Sequence, residues 1–224
     1  MEKINDFIYD IPVKIYFGRE QLKHLGAELK TYGTRVLMTY GGGSIKKMGL
    51  YDRVVKEIND AGLELYELSG IEPNPRINSV RRGAQLCKEN RIEVLLAVGG
   101  GSTIDATKII AAGAFVNHDP WDFLDLSKRA PIKQALPIVS ILTLAATGSE
   151  MDTAAVISNP RPTTRSAVWT PTCCPRHPSL TRATPSASVP TRLPAARPTS
   201  CRTSSRSIST WTKTSTCSIA SWKA

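Results

Sequence analysis

Three short stretches carry residue types suited to holding an anion. Gly99-Gly100-Gly101-Ser102 follows an apolar run and is followed by Thr103-Ile104-Asp105. Gly41-Gly42-Gly43-Ser44 repeats the pattern earlier, and Thr143, Thr147 and Ser149 cluster in a third stretch that ends Gly148-Ser149-Glu150. Glycines let backbone N–H groups approach a ligand closely, because no Cβ stands in the way. Where such a loop opens a helix, free N–H groups and the positive end of the helix dipole face one point, and a phosphate fits there. The stretches supply small donors and no acid–base pair, which suits a nucleotide's phosphates and ribose better than hydrolysis. A single Gly-Gly-Gly-Ser is more often just a tight turn; three such stretches on one edge are the stronger signal. Asp105 has two open readings: it holds a cofactor hydroxyl or carboxamide, or it only favours the helix N-terminus by its charge.

The elements that must position these loops follow from apolar patterning. Residues 94–98 (VLLAV) are short and apolar on both faces, the pattern of a buried parallel strand. Ser102 is expected as the N-cap of a helix over 103–112. Further strands are expected at 35–40, 63–68 and 137–142, and a strand or hairpin arm within 6–18. Helices are expected at 21–31, 48–61 and 77–90, and Glu72-Pro73-Asn74-Pro75 reads as a rigid loop. Strands alternating with helices predict an α/β fold, a Rossmann-like, doubly wound parallel sheet over residues 1–160. Ligands bind at the carboxyl ends of such strands, where all three stretches fall.

Composition sharpens the boundary. The 224 residues carry a formal net charge of +10. Residues 1–160 hold 19 basic and 19 acidic residues; residues 161–224 hold ten basic residues and no acid. Cys87 is alone in the first part, while Cys173, Cys174, Cys201 and Cys217 lie in the second at spacings that match no common zinc pattern. No apolar run is long enough to span a membrane, and the first residues show no signal-peptide pattern, so the expected compartment is the cytoplasm. His24 reads as a surface residue, His118 as turn chemistry and Trp121 as packing. Glu150 and Asp152 are candidate general acids without a partner at a telling spacing.

GGGSIKKMGLYDRV, ELSGIEPNPR, LLAVGGGSTIDATKIIAAGA, PWDF and TLAATGSEMDTAAVISN together resemble the iron-containing (group III) alcohol dehydrogenases. The NAD(P)H-dependent butanol dehydrogenase and aldehyde reductase branch is the most similar, over roughly residues 6–159. The resemblance implies a dinucleotide-binding domain followed by an all-helical domain, with hydride passed between nicotinamide and an alcohol or aldehyde carbon in the cleft between them. It implies that Gly99, Gly100, Gly101 and Ser102 bind the pyrophosphate, with Asp105 nearby. Thr143, Thr147 and Ser149 would line the rest of the cofactor cleft, and Gly42 and Ser44 would meet the adenosine ribose. Ser44, with Lys46 and Lys47 beside it, leaves room and positive charge for a 2′-phosphate, so NADP is favoured over NAD. The family's metal, iron or zinc, polarises the substrate oxygen and is held by one aspartate and three histidines, the first two in an Asp-x-x-x-His motif. This chain has no such motif and no histidine after His177, so the ligands are absent. The intact enzyme is expected to be a homodimer acting on small alcohols or aldehydes, without nucleic acid or membrane partners.

Residues 161–224 are rich in Ser, Thr, Pro, Arg and Ala and contain no Gly, Asp, Glu, Asn, Gln, Tyr, Phe or Met. By composition they read as a disordered, low-complexity basic tail. They also read as translation in a shifted frame. Thr172 to Arg182 can be encoded so that a one-base shift gives Asp-Leu-Leu-Pro-Lys-Ala-Ser-Ile-Leu-Asp-Pro, and the same shift over Arg197 to Thr203 can give Ala-Asp-Ile-Met-Ser-His. On that reading the chain as written is poorly folded and catalytically inactive. The rival reading is a stand-alone nucleotide-binding module whose basic tail, with Trp169, Trp211 and Trp222, contacts nucleic acid.

Overall fold

The computed structural model describes residues 13–18, 20–125, 127–128, 130–160, 163–169 and 179–181, with the backbone alone for 160, 163–165, 169 and 179–181. Its centre is a six-stranded, wholly parallel sheet. The strands are β1 (Ile15–Phe17), β2 (Arg35–Tyr40), β3 (Glu64–Leu68), β4 (Val94–Gly99), β5 (Ile138–Leu142) and β8 (Ser179–Thr181), in the order β1-β8-β5-β4-β2-β3. A second, antiparallel pair joins β6 (Ala154–Pro160) to β7 (Thr163–Trp169).

β4 is apolar along its whole length, and β2 is buried from Val36 to Tyr40, because both faces of the sheet are covered. Val36, Met38, Val94, Leu96 and Val98 point to one side, where they meet Leu25 and Leu29 of α1 (Leu25–Lys30) and Leu50, Val54 and Ile58 of α3 (Leu50–Asp60). Leu37 and Leu95 point to the other, against Ile77, Val80 and Cys87 of α4 (Ile77–Glu89) and Ile109 and Ile110 of α5 (Gly101–Gly113). Helices on both faces make the sheet doubly wound, the expected class. On the α5 side Thr39 is satisfied internally: the Thr39 and Thr107 hydroxyls are 2.6 Å apart, and Thr107 donates to the Thr103 carbonyl. Burial pushes the Cys87 thiol up to about 12, so it serves as a small apolar side chain.

The chain leaves β2 toward α3 on one face and leaves β4 toward α5 on the other. The carboxyl ends of these neighbouring strands therefore splay apart, and a crevice opens between them. α2 (Ser44–Lys47), a single turn, follows the first glycine stretch at its edge.

Three expectations are revised. Ser102 is not an N-cap: α5 begins at Gly101, Gly100 is the extended N-cap, and no side chain caps the helix. The strand runs straight into the helix because Gly99 is free of a Cβ, which would lie 2.5 Å from Thr103 Oγ1. Residues 21–31 form a 3₁₀ turn (Gln21–His24) before α1 rather than one helix. Trp121 packs against the core as expected, from a 3₁₀ turn (Pro120–Phe123) in which the Asp119 carboxylate accepts the Trp121 N–H. The tail expected to lack structure contributes β7 and β8. Thr163–Trp169 is rich in β-branched residues and pairs along all of β6; its Ser166 hydroxyl donates to the Leu124 carbonyl at 2.7 Å, and Val168 packs on the core. These strands extend the folded unit past the boundary expected at residue 160. The expected strand within residues 6–18 is described only from Ile15 to Phe17; its earlier part, with Trp211, Trp222 and the four tail cysteines, lies outside the described residues.

Candidate functional site

The crevice is a cleft of about 700 Å³, within the range of about 300–1,000 Å³ usual for ligand sites. Gly42, Ser44, Gly99, Gly100, Gly101, Ser102, Asp105, Thr143, Thr147 and Ser149 all line it. Three separate loops are brought together because β2, β4 and β5 are adjacent and parallel, so their outgoing turns share one edge.

The β4 turn is built for close backbone approach. Beyond Gly100, an added Cβ would find only Leu144 Cβ, at 4.0 Å, and at Gly42 and Gly43 nothing within 4 Å. Gly43 has φ +109° and opens α2 from the left-handed region, which side chains rarely adopt. Gly101 is tighter: its Cβ would meet Ser149 Oγ at 3.0 Å, so the third loop closes directly on the start of α5. Thr147 and Ser149 hydroxyls are 3.0 Å apart. The uncapped N-terminus of a 13-residue helix stands at the cleft with its dipole.

Asp105 is the buried acid of this site. Its Oδ2 accepts the Val156 N–H at 3.0 Å, whereas Oδ1 is buried with no hydrogen-bond partner among the described residues. Burial raises its carboxyl above the ordinary value, opposed by the Val156 N–H, Lys108 and Ser149. Glu150, also buried, is raised for the same first reason. A buried acceptor without a donor costs about 1–3 kcal/mol, so Oδ1 is a natural place for a ligand N–H or O–H. Asp152 has a partner that sequence spacing did not reveal: Lys108, fully buried, donates to its Oδ1 at 2.7 Å.

Sequence reasoning missed this lysine, since Lys in a helix reads as solvated. It also missed the apolar parts of the cleft. Met48 and Leu144, 39% and 68% exposed, sit on its rim, and Ile71, Pro73, Pro75 and Val156 complete its wall. The rigid loop expected at Glu72-Pro73-Asn74-Pro75, ahead of α4, supplies the two prolines of this wall. The acid at the β3 end of the sheet is tied up: Tyr40 and Tyr51 hydroxyls both donate to the Glu67 carboxylate at 2.7 Å. Lys46 lies over both rings, 5.5 and 4.4 Å from their centroids. Two candidates stand apart from the cleft: His24 is half-buried against the Tyr16 ring, and His118 is an exposed turn residue beside Phe123. Among the described residues no three His, Cys, Asp or Glu side chains converge as metal ligands, so these residues do not fit a metal centre. No helix among them is long and apolar enough to cross a membrane.

A parallel sheet with helices on both faces, and a glycine-rich turn feeding an uncapped helix, defines a Rossmann-like α/β fold. The sequence model for iron-containing alcohol dehydrogenases matches residues 12–178, and the chain belongs to that family. NADH-dependent butanol dehydrogenase B of Clostridium acetobutylicum is 55% identical over 155 residues, which are 69% of this chain and 39% of that protein. The NADPH-dependent aldehyde reductase YqhD of Escherichia coli is 43% identical over 157 residues, 69% of this chain and 40% of that one. The crystal structure of NADH-dependent butanol dehydrogenase A from Thermotoga maritima superposes with a TM-score of 0.73 at 41% identity, covering 79% of this chain and 44% of that one. The chain thus spans about two fifths of the length of these curated relatives.

Proposed function

We propose that this chain is the nicotinamide-dinucleotide-binding part of an alcohol dehydrogenase or aldehyde reductase acting on a small primary alcohol or its aldehyde. One observation carries the reading: an uncapped, glycine-fronted helix and a buried acid with one oxygen lacking a hydrogen-bond donor line one cleft. Gly99, Gly100, Gly101 and Ser102 hold the pyrophosphate through backbone N–H groups and the helix dipole. Gly42 and Ser44 meet the adenosine ribose; Thr143, Thr147 and Ser149 offer hydroxyls along the remaining wall; Asp105 Oδ1 accepts an N–H or O–H from the cofactor. When bound, the nicotinamide supplies or takes up the hydride. The described acids of the cleft are Asp105 and Asp152, both at the β4–β6 side, so no carboxylate opposes a 2′-phosphate beside Ser44. That supports NADPH, with NADH also admitted; the relatives' names include both dinucleotides. The test is a titration of the 224-residue chain with NADPH and NADH, followed by reduced-dinucleotide fluorescence. Saturable binding supports the reading, and a flat trace at millimolar cofactor overturns it.

We infer as well that residues from about 161 onward are translated out of frame. The acid-free composition supports this. So does β8: Ser179–Thr181 occupies an inner parallel strand, and with suitable codons the shifted frame can read Ile-Leu-Asp at these positions, a better sequence for a strand between two others.

A further inference from the structure

We propose that Lys108 is a positioning residue for the dinucleotide site, acting through Asp105 and the start of β6; this rests on the dinucleotide reading above. Its side chain is fully buried in the middle of α5, at 0% exposure. A buried ammonium is costly unless it is paired and hydrogen-bonded. Here it donates to Asp152 Oδ1 and to the Ala154 carbonyl, both at 2.7 Å. Asp152 Oδ1 in turn accepts the Ala154 N–H at 3.0 Å, closing the turn that enters β6.

The arrangement continues along the strand. Asp105, one turn earlier on the same face of α5, accepts the Val156 N–H, and the Ser158 N–H donates to the Pro75 carbonyl at 2.8 Å. The edge of β6 away from β7 is therefore satisfied at alternate residues 154, 156 and 158 by helix side chains and a loop. The spacings agree: two strand residues advance about 6.6 Å, and side chains three apart on a helix share a face with Cβ atoms about 5–6 Å apart. Lys108 and Asp105 act as a two-rung side-chain ladder. The lysine fixes residues 152–154, which holds Val156 where it takes up Oδ2 and leaves Oδ1 without a protein donor. It also keeps a positive charge beside Asp105, favouring the ionised acceptor.

The experiment is a double-mutant cycle on the 224-residue chain, with NADPH fluorescence as the binding readout and circular dichroism melting alongside. Lys108→Met is expected to weaken binding about tenfold, and less than about twofold in an Asp105→Asn background, because the two act as one unit. The acid limb of binding is a second readout that simple destabilisation does not move. Asp105, faced by Lys108 and Asp152, sets that limb, and it shifts to higher pH when the lysine charge is removed. A folded Lys108→Met that binds like the parent, or that loses the same factor with and without Asp105, overturns the proposal. If Lys108→Met does not fold, Asp152→Asn decides: weaker binding supports the ladder, and a folded variant with parental affinity overturns it. A parent chain that binds no dinucleotide overturns the underlying reading instead.

Discussion

The backbone N–H of Val156 donates to Asp105 Oδ2 at 3.0 Å, across the interface between α5 and β6, and this leaves Oδ1 buried without a donor in a residue that lines the cleft. One carboxylate thereby anchors a strand and presents an acceptor. An acid used this way is held at a cost to the fold, since burial raises its pKa.

That cost has a defined sign. A carboxyl whose folded pKa is raised binds its proton more tightly when folded than when unfolded. Its contribution is most favourable below the ordinary value of 3.8 and is lost as pH climbs toward the raised value. Glu150 acts in the same direction. Asp105→Asn keeps an acceptor for Val156 and removes the charge. We predict that at pH 7 its melting temperature equals or exceeds that of the parent, with the difference shrinking toward pH 4, while NADPH binding weakens about tenfold. Melting curves from pH 4 to 8 check the sign.

Gly100 separates folding from binding. Its φ of −91° suits any residue, and an added Cβ meets only Leu144 Cβ at 4.0 Å. Gly100→Val is expected to keep the melting temperature within about 3 °C, a change below about 1 kcal/mol. It fills the approach to the helix N-terminus, so dinucleotide binding should fall at least about tenfold. Retained affinity would move the pyrophosphate away from this turn.

Ser44 is exposed at the cleft beside Lys46, whose ammonium lies 4.4 Å from the Tyr51 ring centroid. A carboxylate there repels a 2′-phosphate and accepts from ribose hydroxyls. Ser44→Asp should weaken NADPH about tenfold and leave NADH within about twofold, the difference narrowing as salt screens the charge. Parallel titrations at low and high ionic strength measure it. Equal loss of both cofactors would place the ribose elsewhere.

The reading frame is checked at the nucleic acid. Sequencing codons 150–170 from the source is expected to show a one-base insertion or deletion relative to an intact copy. Restoring the frame should yield the Asp-x-x-x-His motif downstream. An uninterrupted frame identical to an intact copy would make the basic tail a genuine part of the protein.

Much of this molecule was written in local patterning. The apolar runs at β2, β4 and β5 could only be covered on both faces, and the three hydroxyl- and glycine-bearing turns followed from strands that run in parallel. All ten candidate site residues lie on one cleft for that reason. Local pattern misjudged Ser102, because the helix start was decided by Gly99 and Gly100 and not by a capping side chain. It also assigned no structure to Thr163–Trp169, since that composition supports a strand only when β6 supplies the pairing edge.

The sequence by itself therefore determined the class of fold and which turns would meet at the sheet edge: periodicity and glycine placement are local properties. Tertiary structure alone decided what Asp105 and Lys108 do. Both are charged helix residues that read as solvated or as dipole partners. Only the packing of β6 against α5 removes water from them, pairs Lys108 with Asp152, and leaves Asp105 with one oxygen unsatisfied.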